Sequence, residues 1–208
     1  MIKTIIFDLS EVLIAGLLGV EKSISAHLAI PEEQVVAAFN TPALQDLFCG
    51  RLSEDVFLAH ILRERAWGIP LESLKRMIRE NFHRRVPRME ELLVHLDRGY
   101  ELVLLSDHAR EWMAYIQSIH PFLQIFPTRF FSFELQQTKR YPSTFQKVLR
   151  SLNRDPHQCW FIDDSPANIQ AARSIGLPSI RFTTAPALVS ELESRGLAFC
   201  SHATHHFS

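Results

Sequence analysis

Ile5-Ile6-Phe7-Asp8-Leu9-Ser10 and Trp160-Phe161-Ile162-Asp163-Asp164-Ser165 decide the reading of this chain. Each is a short apolar run rich in isoleucine and aromatics, the pattern of a strand buried on both faces. Each delivers carboxylate at its carboxyl end: Asp8 in the first, Asp163 and Asp164 in the second. Carboxylates at the tips of buried strands are strongly disfavoured unless positive charge lies between them. A bound divalent cation is the simplest solution, so the two segments predict one acidic, metal-holding site built from opposite ends of the sequence.

The region between and beyond them alternates strand and helix. Met89, Leu92, Leu93 and Leu96 share one face of a helix over 89–98 that Gly99 ends. A strand over 101–105 leads to Ser106, followed by a helix over 109–118 and a strand over 129–133. Pro142 suits the first turn of a helix carrying Phe145, Val148, Leu149 and Leu152. A strand over 159–162, a helix over 166–175 stopped by Gly176, a strand over 179–182 and a helix over 187–195 complete the series. Repeated β-α units predict a parallel sheet with helices on both faces, an α/β Rossmann-like core. Ligands of such sheets bind at the carboxyl ends of the strands, where Asp8, Ser106 and Asp163 all fall.

Residues 15–85 break the alternation and read as helices only. Pro31 opens one, with Val35, Val36 and Phe39 inward. Ser53 caps another, with Glu54 and Asp55 in its first turn, and Leu71, Leu74, Met77 and Ile78 mark a third. The division expected is a core of residues 1–14 and 86–208 under an all-helical cap of residues 15–85.

Composition excludes several classes. The chain has 208 residues, 47% of them hydrophobic and 22% charged, as in an ordinary globular enzyme. Its 22 Lys and Arg balance 23 Asp and Glu, so no global field points to nucleic acid or a membrane surface. No stretch approaches the roughly 20 apolar residues of a membrane span. Met1 leads directly into the first strand, so no leader is expected. Cys49, Cys159 and Cys200 are odd in number and dispersed, forming neither a disulfide framework nor a metal pair, and fit a reducing cytoplasm. A monomer or homodimer is expected.

Four segments in order resemble the haloacid dehalogenase-like hydrolase superfamily, whose members are mostly phosphatases. Asp8 matches the nucleophilic aspartate after the first strand, and Ser106 the hydroxyl residue ending the second. Lys139, in Lys139-Arg140-Tyr141-Pro142, matches the lysine ahead of a helix, and Asp163-Asp164 match the acidic pair of the fourth motif. The resemblance implies a Rossmann-like core under a helical cap. It implies Mg²⁺ held by Asp8, Asp163, Asp164 and the backbone carbonyl of Ser10, with a small phosphorylated metabolite as substrate. It also implies that Asp8 forms an aspartyl-phosphate that water hydrolyses. Ser106 would bind a phosphoryl oxygen and Lys139 would neutralise charge, so Asp8, Ser106 and Lys139 are the catalytic candidates. Ser106, Asp107 and Lys139 are the substrate-binding ones.

Two positions depart from the family pattern. Ser10 stands where most phosphatases carry a second aspartate that protonates the leaving group; loss of such a group typically costs roughly 10²- to 10⁴-fold. Either the substrate has an acidic leaving group, or Glu11, His108, His60 or Arg51 substitutes, or the fold is a non-catalytic binder of a phosphorylated ligand or partner. A metal-independent dehalogenase is a further alternative, since a halide needs no proton. Asp107 stands where asparagine is usual and adds negative charge near the phosphate site. Among the remaining candidates, His108 reads foremost as an exposed residue at a helix start. Asn168 reads equally as an orienter of the acidic loop or an exposed helix residue. Nothing fixes the geometry of Cys200, His202, His205 and His206, which read as a terminus rather than a metal group.

Overall fold

The structure, a computed structural model, describes residues 1–196; Cys200, His202, His205 and His206 lie outside them. Five strands form one parallel sheet: β1 (Thr4–Phe7), β2 (Glu101–Ser106), β3 (Thr128–Phe131), β4 (Cys159–Asp163) and β5 (Ser179–Arg181), in the order β3-β2-β1-β4-β5. β1 lies at the centre, with Phe7 level with Leu104 on one side and Ile162 on the other. Alternate side chains serve opposite faces. Ile5, Phe7, Leu102, Leu104, Trp160 and Ile162 join one apolar cluster, while Ile6, Val103, Leu105, Cys159 and Phe161 join the other. This is why the strands read as continuous apolar runs.

Among the described residues, six α-helices flank the sheet. The first face is covered by α6 (Met89–Leu96), α7 (Arg110–Ile119) and α11 (Ala185–Ser194), and the second by α9 (Pro142–Leu152) and α10 (Pro166–Arg173); α8 (Ser132–Leu135) is a single turn after β3. The expected strand over 129–133 stops at Phe131 because the chain turns helical at Ser132, whose hydroxyl accepts the backbone N–H of His108 at 3.0 Å.

Between β1 and α6 lie five helices: α1 (Val20–Leu28), α2 (Glu32–Phe39), α3 (Pro42–Phe48), α4 (Glu54–Glu64) and α5 (Leu71–Phe82). Two of these, α1 and α3, were not expected from the sequence. Val35 and Phe39 are buried as expected, but Val36 is 50% exposed. Neighbouring helix positions are about 100° apart, and Val36 falls on the outer side of this short helix. Ser53 caps α4 by accepting the Val56 N–H. The two passages linking these helices to the sheet run side by side: the Ala15 N–H donates to the Arg84 carbonyl at 2.7 Å, and the Val86 N–H to the Leu13 carbonyl at 2.9 Å.

The apolar interior of these helices is continuous with the first face of the sheet, through Phe57, Ile78, Phe82 and Trp112. A polar bolt crosses the same boundary. Glu54, 1% exposed at the start of α4, accepts Trp112 Nε1 of α7 at 2.8 Å and pairs with Arg79 of α5 at 2.6 Å. The sequence reads Glu54 as a favourable first-turn charge; its larger role is to tie three helices together. Among the described residues no helix is long and apolar enough to cross a membrane.

Candidate active site

Parallel pairing brings the strand tips together. The Asp8 N–H donates to the Ile162 carbonyl at 2.9 Å, which sets Asp8 beside the end of β4 and its Asp163. Ser106 closes β2 on the other side of β1. One ligand oxygen each from Asp8, Asp163 and Asp164 lies within 4.8 Å of the others. Lys139, from the loop ahead of α9, enters this cluster and puts Nζ 2.5 Å from Asp8 Oδ1 and 2.7 Å from Asp163 Oδ2. Asp8, Ser106, Lys139 and Asp163 are all buried.

The Asp8 and Asp163 carboxylates have fixed orientations. Asp8 Oδ1 also accepts the Leu9 N–H at 2.7 Å. Asp163 Oδ1 accepts the Ser165 N–H at 2.8 Å, and both its oxygens accept Asn168 Nδ2 at 3.2 and 3.1 Å. Asn168 is therefore the orienter of the acidic loop and is buried; the spacing Asp163–Asn168, one turn into α10, is the signal that carries it. Asp107 lies beside Lys139. Its two oxygens accept the Lys139 backbone N–H at 3.1 and 3.0 Å and so hold the lysine loop. Ser106 Oγ is buried without a partner and caps no helix.

The electrostatics follow from three carboxylates around one ammonium. Burial, and then the charges of Asp163 and Asp164, raise the Asp8 carboxyl well above its ordinary range against the pull of Lys139. Burial and Asp163 likewise raise Asp164. Burial alone would lower Lys139, but Asp163, Asp8 and Asp107 outweigh it and keep the ammonium charged. Burial raises Asp107 to about 6 against the charge and N–H of Lys139. The donor set is all oxygen, hard and in negative excess over its single lysine, which is the chemistry that suits Mg²⁺.

The surroundings of Ser10 differ from expectation. His108 is not exposed but 2% accessible, enclosed by the rings of Phe48, Phe82 and Trp112 at 5.5–6.3 Å. Its Nε2 lies 3.3 Å from Ser10 Oγ, and its Nδ1 has no partner. Burial and the nearby Lys139 lower its pKa to about 3, so the ring is neutral at physiological pH. Glu11, held at φ 60°, turns its carboxylate to the Gly16 and Leu18 N–H groups at 2.8 and 3.3 Å. His60 and Arg51 do not approach Ser10 in any described contact: His60 meets Arg63 on α4, and Arg51 pairs with Asp46. Above Lys139, Gln45 of α3 accepts the Thr138 hydroxyl at 3.3 Å, so α3 adjoins the lysine loop.

A family model of haloacid dehalogenase-like hydrolases matches residues 2–176. No curated protein matches the sequence. Among solved structures, a HAD family enzyme of Bacteroides thetaiotaomicron, in complex with magnesium and inorganic phosphate, is 20% identical with a TM-score of 0.71, covering 89% of this chain and 96% of that one. A Porphyromonas gingivalis protein described as a predicted HAD-like family hydrolase is 24% identical with a TM-score of 0.74, covering 92% and 98%. The L-2-haloacid dehalogenase of Xanthobacter autotrophicus, with chloropropionic acid covalently bound, is 18% identical with a TM-score of 0.66, covering 95% and 85%. These likenesses are of fold. With the match extending over most of its length, the chain belongs to the haloacid dehalogenase-like hydrolases.

Proposed function

We propose that the protein is a Mg²⁺-dependent hydrolase of a small phosphorylated metabolite, acting through an aspartyl-phosphate on Asp8. The observation that carries this reading is the position of Lys139 Nζ between Asp8 and Asp163, with Asp164 completing the acidic cluster. A carboxylate nucleophile meets an anionic phosphoryl group only if positive charge offsets their repulsion. Lys139 supplies part of it. Asp8, Asp163, Asp164 and the Ser10 carbonyl would hold Mg²⁺, which when bound would supply the rest.

Lys139 and the Leu9 N–H fix the Asp8 carboxylate through Oδ1. The unpartnered Ser106 hydroxyl donates to a phosphoryl oxygen, and Lys139 offsets the charge that develops there. Asp107 acts on the substrate only by fixing Lys139. Asn168 and the Ser165 N–H keep Asp163 aimed inward. We assign residues 15–85 as a cap over a core of residues 1–14 and 86–208, with α3 adjoining Thr138 beside Lys139. We assign the activity to the cytoplasm from the dispersed cysteines.

Metal-independent dehalogenation is the competing reading, favoured by the absence of a carboxylate at Ser10 and disfavoured by three carboxylates sharing one lysine. The test is turnover of a panel of phosphate esters and of 2-haloacids, with Mg²⁺, with EDTA, and with Asp8→Asn protein. Phosphate release that needs Mg²⁺ and Asp8 supports the proposal. Halide release in EDTA would replace it, and no turnover by folded protein would point to a binding module.

A further inference from the structure

Departure of an alcohol from phosphorus leaves an alkoxide unless a proton arrives with it. Of the described groups near the Ser10 side of Asp8, Asp164 belongs to the proposed metal site and the others are committed elsewhere. Ser10 offers only a hydroxyl, 3.3 Å from His108 Nε2, and Gly16 packs so closely over it that a Cβ there would fall 2.7 Å from Ser10 Cβ. His108 is walled in by Phe48, Phe82 and Trp112. The Glu11 carboxylate is tied to two backbone N–H groups of the loop at Gly16 and Leu18. Asp107 is tied to the Lys139 N–H, and Asp163 to Lys139, Ser165 and Asn168. The cluster is furnished for attack on phosphorus and not for assistance to what leaves.

We infer that the substrate is a phosphoryl compound whose leaving oxygen departs as a stabilised anion, an acyl phosphate being the type, and that the Ser10–His108 contact fixes this selectivity. The inference rests on the phosphatase reading above. In the first step an Asp8 carboxylate oxygen forms a bond to phosphorus as the bond to the leaving oxygen breaks. The electron pair leaves with that oxygen, which in an acyl phosphate becomes a carboxylate and needs no proton. In the second step water attacks phosphorus, the bond to Asp8 breaks, and inorganic phosphate and the Asp8 carboxylate are released with the proton passing to solvent. The second step lacks a positioned base for the same reason, so with such substrates the aspartyl-phosphate accumulates.

The experiment is kcat/KM of the full chain with Mg²⁺ across acetyl phosphate, aryl phosphates of graded phenol pKa and simple alkyl phosphates, with pre-steady-state release of the phenol. kcat/KM reports the first step even when the second limits turnover. A fall of at least about 10²- to 10⁴-fold from the acyl and most acidic aryl substrates to the alkyl ones is expected, the range a positioned acid would supply. A burst of phenol stoichiometric with protein is expected beside it. Ser10→Asp should flatten the dependence, and wild-type protein decides the matter should that variant not fold. Mg²⁺-dependent turnover of alkyl and acyl phosphates at similar kcat/KM would overturn the inference while leaving the phosphatase reading intact. No turnover even of acetyl phosphate would overturn both.

Discussion

Lys139 Nζ stands 2.5 Å from Asp8 Oδ1, and the same nitrogen reaches Asp163 at 2.7 Å, so one ammonium joins the tips of the two strands that define the site. Removing one partner of a buried ion pair leaves the other charge uncompensated, at a typical loss of about 3–5 kcal/mol. Lys139→Met should therefore lower folding stability by roughly that amount in EDTA at pH 8. Asp8 already has a raised pKa, and without Lys139 it rises further. A raised carboxyl is most favourable to the fold when protonated, so the deficit should shrink as pH is lowered. Denaturant titrations of both proteins at pH 8 and pH 5 check the prediction, and a deficit independent of pH would refute it.

The acidic cluster makes a second prediction that needs no substrate. A ligand of the folded state alone stabilises it by mass action, by about 2.7 kcal/mol at a hundred times its dissociation constant. Mg²⁺ should raise the melting temperature of the wild-type protein, and Lys139→Met, with a greater negative excess, should rise by more. Asp164→Asn should respond weakly. Asp164 is only half-buried, so this substitution should change the metal-free melting temperature little. A wild-type melting temperature insensitive to millimolar Mg²⁺ would argue against the metal site.

Much of this site is legible in the sequence because parallel pairing dictates it. Asp8 and Asp163 follow apolar runs that can only be central strands, and adjacent strands align their tips. His108 was not legible. Its neighbours Asp107, Ala109, Arg110 and Glu111 look like an exposed helix start, and its burial comes from Phe48 and Phe82, which belong to helices distant in sequence. The dual bond of Glu54 was hidden for the same reason. The helix α1 was missed because only Val20 and Ile24 of its residues are buried, and α3 because its seven residues include a single buried one, Leu47. Short helices carry too few core positions to display a period.

His108 gives the pH prediction. Its pKa falls from 6.5 to about 3 through burial and Lys139. Between those values the unfolded chain binds a proton that the folded one refuses, so stability contributed by the neutral ring is complete above about pH 6.5 and is lost as pH falls toward 3. His108→Phe removes the titrating group while retaining a ring among Phe48, Phe82 and Trp112. The variant should lose less stability than wild type between pH 7.5 and pH 5, measured by urea unfolding. Parallel pH dependences would show that His108 is not the group responsible.

Gly50 supplies a test of how α3 is seated. It ends that helix at φ +71°, its N–H donates to the Leu47 carbonyl at 3.0 Å, and a Cβ there would lie 3.0 Å from the Phe133 carbonyl oxygen. Gly50→Ala thus combines left-handed strain with a close contact to α8, for a loss of about 1–3 kcal/mol. Gly176, at φ +78° with nothing within 4 Å, isolates the strain alone, so Gly176→Ala should cost the smaller amount. The relief open to Gly50→Ala is a shift of α3, which carries Phe48 against His108 and Gln45 against Thr138, next to Lys139. Gly50→Ala should therefore also change kcat/KM for the phosphorylated substrate, whereas Gly176→Ala should leave it unchanged. Equal stability losses in the two variants would mean that α3 does not press on α8 as the geometry requires.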